Sequence, residues 1–165
     1  MPTNHHKDNC GDPRIRPIEA THVGEMIRIG EETNLSPWSA QSYLDEIKNP
    51  DSIMLRLVSE DTSVAGFIVG RRVIGQDGLG RKDAEIYNIA VVKDKQRTGC
   101  GQALFDAFAA QCAENNIANI WLEVRQSNAN AIKFYERNGF VPVQTRNHFY
   151  DNPREHAVLM RLILK

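Results

Sequence analysis

The stretch Gln96-Arg97-Thr98-Gly99-Cys100-Gly101-Gln102 decides how this chain is read. It follows an apolar run from Ile86 to Val92 that predicts a strand, and it opens Ala103 to Glu114, which predicts a helix. A strand, a short basic loop with two close glycines and a helix start together make a cradle for a phosphate. The first backbone N–H groups of a helix lack partners within it, and the helix dipole adds positive partial charge at the same end. Glycine lets an anion approach because no Cβ stands in the way. The spacing excludes two familiar nucleotide sites. A P-loop needs a Lys after its last glycine, where Gln102 stands, and the dinucleotide fingerprint needs a third glycine, where Leu104 stands. What remains is Gln/Arg-x-x-Gly-x-Gly/Ala, filled by Gln96, Gly99 and Gly101. Alone, that pattern also fits a helix entry that uses glycine only for its turn geometry.

Working outward from the loop, 165 residues suit a single domain with a sizeable core. A hydrophobic content of 41% and a charged content of 25% are ordinary for a soluble globular protein. The net charge of -1 supplies no basic field for nucleic acid. The three cysteines, Cys10, Cys100 and Cys112, give no disulfide framework and suit a reducing cytosol, so a cytoplasmic location is expected. The polar N-terminus has no apolar signal region, and no apolar stretch approaches membrane-spanning length. Residues 1–13 lack any apolar period and read as a disordered tail, in which His5-His6 makes no metal site. Residues 14–165 read as one domain.

Within that domain, strands are predicted at Ile15 to Ile18, Ile53–Ser59, Val64–Ile74, Asp83 to Val92, Ile117 to Val124, Phe140–Arg146 and His156–Leu164. Helices are predicted after the caps Thr21 and Ser39, over 100–115, and from Asn128 to Arg137, where Gly139 suits a left-handed C-terminal cap. Gln76-Asp77-Gly78-Leu79-Gly80 reads as a turn. Mixed strands and helices along one chain predict an α/β or α+β sheet with helices on both faces.

Several further motifs join the loop. They are Asn88-Ile89-Ala90-Val91, Trp121-Leu122-Glu123-Val124-Arg125-x-Ser127-Asn128, Ala131-Ile132-x-x-Tyr135-Glu136 and Asn138-Gly139-Phe140, with Pro37-Trp38-Ser39 upstream and a basic-aromatic segment ending in Tyr150. Together they resemble the GNAT superfamily of N-acetyltransferases, and within it the RimI-type ribosomal-protein-alanine N-acetyltransferases. The resemblance runs from Ile15 to the C-terminus and is most specific from Asn88 to Phe140. It implies a mostly antiparallel, twisted sheet flanked by helices on both faces. It also implies acetyl-coenzyme A as cosubstrate without a metal, and an amine acceptor: the N-terminal peptide of a protein, with a ribosomal protein beginning with Ala as the expectation and a lysine or small-molecule amine (polyamine, amino acid or antibiotic) as the alternative. Neither nucleic acid nor membrane is an expected partner. The resemblance further implies that amides from Gln96, Arg97, Thr98, Gly99, Cys100, Gly101 and Gln102 hold the pyrophosphate. Ile89, Ala90 and Val91 would pair with the pantetheine arm like an added strand, and Asn128 would contact the cofactor as well as cap its helix.

Acetyl transfer to an amine needs a neutral nucleophile, a stabilised oxyanion and a proton for the departing thiolate. Alternation along the strand puts Ile120, Leu122 and Val124 on one side and Trp121, Glu123 and Arg125 on the other. By spacing alone Glu123 fits a solvated strand residue; by resemblance it is the general base. Glu85 competes, because Ala84-Glu85-Ile86 resembles the base-bearing segment of the histone acetyltransferases in the same superfamily; alternation places Glu85, Tyr87, Ile89 and Val91 on one face. Tyr135 fits a core tyrosine by spacing and the general acid by resemblance. Cys100 has no neighbouring base in the sequence, so direct transfer without an acyl-cysteine is expected. Arg146-Asn147-His148-Phe149-Tyr150 resembles the Arg-x-x-Tyr-Tyr segment at the peptide entrance of related enzymes, with Phe149 in place of the first tyrosine. His156 stands where the family commonly has Asp or Asn. Glu31, Glu32 and Trp38 are candidates for an acidic, aromatic rim suited to a basic peptide, or simply for a solvated helix end.

Overall fold

A computed structural model describes residues 11–75 and 78–165. Residues 1–10 of the expected tail and Gln76-Asp77 of the expected turn lie outside the described residues. In chain order the elements are β1 (Ile15–Pro17), α1 (Val23–Glu32), α2 (Ala40–Lys48), β2 (Ser52–Val58), β3 (Val64–Ile74), β4 (Lys82–Val91), α3 (Cys100–Glu114), β5 (Asn119–Arg125), α4 (Ala129–Arg137), β6 (Val141–Asp151) and β7 (Arg154–Ile163). The strands form a seven-stranded sheet in the order β1-β2-β3-β4-β5-β7-β6. Every neighbouring pair is antiparallel except β4 with β5. The expected mixed, mostly antiparallel sheet with helices on both faces is what the chain forms.

The periodicities explain which face each element covers. Leu104, Phe108 and Cys112 recur every four residues along α3 and are buried against one face of the sheet, together with Tyr135 of α4. Met26 and Ile29 of α1 and Tyr43 of α2 are buried against the other face. The central strand β3 is apolar on both sides because both sides are covered: Ala65 and Ile68 enter the α3/α4 core, and Phe67 and Val69 the α1/α2 core. Ser39 caps α2 through its hydroxyl, which accepts from the Ser42 N–H at 3.0 Å.

Thr21 is not the cap expected for α1: it lies inside a 3-10 turn, Ala20–His22, and His22 precedes the helix without a side-chain cap. Two strand regions also differ from the sequence expectation. Phe140–Arg146 and His156–Leu164 grow into one long hairpin, β6–β7, whose tip lies at Asn152-Pro153. Polar and aromatic residues at 147–155 hide that extension, since β6 is exposed along almost its whole length and shows no alternation. In β4, Val69 pairs with Asn88 and Gly70 with Ile86, so Tyr87 is an extra residue, a β-bulge. The bulge reverses the facing of the residues beyond it. Ala84 and Ile86 pack with the α3/α4 core, Tyr87 and Ala90 with the α1/α2 core, and Ile89 and Val91 with the α3/α4 core again. Glu85, Tyr87, Ile89 and Val91 therefore do not share one face, because strict alternation cannot survive an inserted residue.

The bulge also governs the middle of the sheet. The parallel pairing of β4 with β5 comprises Ala84 with Ile120, Glu85 with Trp121 and Ile86 with Leu122, and stops there. Beyond it the two strands run on without pairing, and a slot opens between Tyr87–Val91 and Glu123–Arg125. Opposite the bulge, a Cβ on Gly70 would lie 2.5 Å from the Glu85 carbonyl oxygen and from the Phe108 ring. Gly70→Ala is expected to destabilise the protein by about 3 kcal/mol, through overpacking against backbone and a buried ring. Urea denaturation measures it; an unchanged midpoint would show that β3 and α3 can part freely here.

Candidate active site

The loop after β4 is shaped at its glycine. Gly99 is the N-cap of α3 with φ 85°, a left-handed conformation that favours glycine. The N–H groups of Cys100, Gly101 and Gln102 in the first turn of α3 have no partners within the helix. The loop is tied back on itself: the Gln96 side-chain amide donates to the Val91 carbonyl at 2.9 Å, and the Thr98 hydroxyl donates to the Lys95 carbonyl. Cys100 is buried, with its sulfur 3.2 Å from the Thr98 hydroxyl oxygen. Gln102 and Asn138 exchange amide hydrogen bonds at 2.6 and 3.1 Å, which fasten the start of α3 to the end of α4.

Two cavities meet at the slot. A groove of about 830 Å³ runs past Ala90, Val91, Gln96, Arg97, Gly99 and Gly101 to the face of α4. Lys133 and Arg137 of α4 also line it; they sit four residues apart, one above the other on a helix face, and belong to no motif. A cavity of about 360 Å³ lies on the other side of the slot, against Trp38, Glu85, Tyr87, Trp121, Glu123 and Tyr150. Ile89, Asn128 and Tyr135 line both. The structure thus brings Glu85, Glu123, Tyr135, Asn128 and Ile89 together, and joins them to the glycine loop. Thr98 and Cys100 line neither cavity. Asn128 is the N-cap of α4, its side chain accepting from the Ala131 N–H at 3.2 Å.

The acidic residues are held unequally. Glu123, on β5, has a side chain 24% exposed, and its carboxylate lies 2.8 Å from the Arg146 guanidinium of β6. Burial pushes its carboxyl above the usual carboxylate range; Arg146 pulls it back, and the negative charge of Glu85 pushes it up again. The Tyr150 hydroxyl donates to the Glu123 backbone carbonyl at 3.4 Å. Glu85 is half-buried on the same side as Tyr87, whose phenol is pushed up to about 12, chiefly by burial and then by the charge of Glu85. Tyr135 is buried at 6% exposure, its ring edge-on to Phe140 at 5.5 Å, and burial pushes its phenol well above the ordinary value.

Three further residues shape the site although the sequence assigned them no role there. Buried Asp83 accepts from the Trp121 indole N–H at 2.8 Å and from the Asn119 amide at 3.0 Å, which sets the Trp121 ring in the cavity wall. Asn88, next to the bulge, is 5% exposed, and its side-chain N–H group has no partner among the described residues. Arg146 lies in the segment that resembles a peptide entrance, but its ion pair with Glu123 depends on the β5–β7–β6 order and not on any sequence spacing. His156 has a structural part: its Nδ1 accepts from the His148 backbone N–H at 3.0 Å, a position where any side-chain acceptor would serve. Of the expected rim only Trp38 lines the cavity, stacked near Tyr43 and Tyr87 at 5.2 and 5.8 Å. Glu31 and Glu32 are exposed at the end of α1, away from the lining; Glu32 pairs with Arg28. Among the described residues no cluster of three metal-ligating side chains occurs, and no helix is long and apolar enough to cross a membrane.

The sheet thus parts in the middle, with a helix N-terminus on one side of the parting and two carboxylates, Glu85 and Glu123, on the other. The model of the acetyltransferase (GNAT) family matches residues 23–140, and the chain belongs to that family. It is an N-acetyltransferase. It is 31% identical, over 91% of its length and 98% of the relative's, to a [ribosomal protein bS18]-alanine N-acetyltransferase of Haemophilus influenzae. The crystal structure of the ribosomal-protein-S18-alanine N-acetyltransferase from Escherichia coli superposes with a TM-score of 0.78 at 29% identity, covering 92% of this chain and 93% of that one. The Arabidopsis thaliana NAA60 structure in complex with acetyl-CoA shares the fold, with a TM-score of 0.83 at 16% identity over 91% of this chain and 97% of that one.

The opposing influences on Glu123 give a direct test. Arg146→Met removes the cation that lowers the Glu123 carboxyl and leaves burial and Glu85 in place. The side-chain titration of Glu123, followed by carbon NMR, is expected to move to higher pH. A shift to lower pH would mean that the ion pair does not act on this carboxyl.

Proposed function

We propose that this protein transfers the acetyl group of acetyl-coenzyme A to the N-terminal α-amine of a protein, with a ribosomal protein beginning with Ala as the acceptor, in the cytoplasm. Residues 14–165 act as the single catalytic domain. The observation that carries the proposal is the slot itself: unpaired β4 backbone, the Gly99 helix start and the Glu123/Tyr135 pair all open onto it.

In this reading the cosubstrate fills the larger groove. Loop amides from Gln96 to Gln102 bind its pyrophosphate, with Arg97, Lys133 and Arg137 supplying positive charge nearby. The free edge at Ile89, Ala90 and Val91 pairs with its amide-bearing arm, which replaces the strand that β5 ceases to be. The acceptor amine enters from the smaller cavity. An α-ammonium has a pKa of about 7.7–8.0 and gives up its proton far more readily than Lys at about 10.4. Glu123, beside the Arg146 guanidinium, takes that proton through a water. The nitrogen lone pair attacks the thioester carbon, the C–S bond breaks, and the thiolate takes a proton from Tyr135; the second proton that the nitrogen sheds as the amide forms replaces the one Tyr135 gave, and Glu123 passes the first to solvent. The burial that makes Tyr135 a reluctant acid makes the thiolate beside it a better base, so the transfer does not demand an acidic phenol.

Mass spectrometry of reactions with a basic peptide beginning with Ala, a Lys peptide with a blocked N-terminus and polyamines tests the acceptor. Acetylation is expected on the α-amine of the first; product only on the Lys side chain or the polyamines would establish the other acceptor class. For the base, Glu123→Gln is expected to lower kcat by about 100-fold or more, the usual contribution of a general base, with acetyl-coenzyme A affinity little changed. If Glu85→Gln shows that loss and Glu123→Gln does not, the proton goes to Glu85.

A further inference from the structure

Arg125 is the last residue of β5, and its side chain is 21% exposed. Its guanidinium reaches across to the tip of the β6–β7 hairpin. Nη1 donates to the Pro153 carbonyl at 3.1 Å and Nη2 to the Asn152 carbonyl at 3.2 Å, so two successive turn carbonyls are held by one rigid fork. Nη1 also lies 3.4 Å from the Glu155 carboxylate. That carboxylate in turn accepts from the Ser127 backbone N–H at 2.6 Å, a second tie between the end of β5 and the hairpin. The flat face of Arg125 stands 4.1 Å from the centre of the Tyr150 ring.

The hairpin needs such a fastening. β6 bulges between Arg146 and Tyr150, and His148 in the interruption has φ 54°. Ladder pairing therefore resumes only at Tyr150 with Glu155 and Asp151 with Arg154 before the chain turns. Two ladder pairs beyond a bulge, on an exposed edge, do not by themselves fix an aromatic side chain. Yet Tyr150 and Phe149 line the smaller cavity, where the acceptor enters in the function proposed above.

We propose that Arg125 is a positioning residue for acceptor recognition: by clasping the hairpin tip and covering the Tyr150 ring, it sets the wall against which the acceptor's N-terminal segment binds. This rests on the function proposed above for the identity of the acceptor, but not for the clasp. The clasp acts on the acceptor side of the slot, so the two substrates respond differently. Arg125→Met is expected to raise KM for the Ala-starting basic peptide by about ten-fold or more, as the loss of charge-assisted hydrogen bonds implies. KM for acetyl-coenzyme A and kcat stay within about two-fold. Arg125→Lys, which keeps a cation over Tyr150 but loses the fork, falls between the two. Because Arg125 acts through Tyr150, adding Arg125→Met to Tyr150→Ala changes the peptide KM by less than about two-fold.

Hydrogen exchange of the enzyme without substrates supplies the second arm. In Arg125→Met the backbone amides from Tyr150 to Glu155 exchange faster, while those of α3 and β3 keep their wild-type protection. Equal rises in KM for both substrates, effects that multiply in the double variant, or unchanged exchange at the hairpin tip would each overturn the proposal. If the wild-type enzyme does not turn over the peptide, the function proposed above fails, and the exchange measurement alone decides whether Arg125 fastens the tip.

Discussion

The parallel pairing of β4 with β5 ends after three register pairs, and the site depends on that early ending. A buried sheet ordinarily satisfies every backbone N–H and carbonyl by continuing its ladders. Here an extra residue at Tyr87 turns β4, and the strands separate inside a sheet that is otherwise continuous from β1 to β6. The separation costs hydrogen bonds in the middle of the fold, and in the proposed reaction a ligand of extended, amide-bearing shape restores them. Gly70 permits the bulge to sit tightly against β3 and Phe108, so the break in the ladder does not loosen the core around it.

The same break sorts the electrostatics. On the α3 side lie a helix N-terminus and the cations of Arg97, Lys133 and Arg137, an environment for phosphate. On the other side lie Glu85 and Glu123, an environment for an ammonium group. Glu123 sits between influences of opposite sign, and Arg146 offsets part of what burial and Glu85 impose. In the proposed role of Glu123, a carboxylate that accepts a proton and then releases it benefits from being neither fully solvated nor locked by a buried cation. Arg146, itself 45% exposed, is a moderate partner of that kind.

Much of this was legible in the sequence, and the exceptions have a common cause. The glycine loop, the alternation of Ile120–Arg125 and the four-residue period of α3 are local patterns, and the chain folds as they predict. The split faces of β4 were not legible, because a bulge inserts one residue without leaving a composition signal. Nor were the contacts across strands: Arg146 reaches Glu123 only because β7 and β6 follow β5 in the sheet, and Arg125 meets Asn152 and Pro153 only because the hairpin extends past Arg146. Glu31 and Glu32 fitted either an acidic rim or a solvated helix end, and the structure gives the helix end. Residues whose meaning lies within about one helical turn or one strand are readable; those whose meaning is a tertiary pairing are not.

The paired amides of Gln102 and Asn138 bear on the length of molecule this site accepts. They join the first turn of α3 to the residue that caps the end of α4, and α4 carries Tyr135. The end proposed to grip phosphate and the end proposed to face the reacting sulfur are therefore fixed to each other by protein atoms alone. In the proposed reaction the fold works as a ruler: a cosubstrate with a shorter or longer arm between phosphate and thioester still finds both anchor points, but cannot occupy them at once.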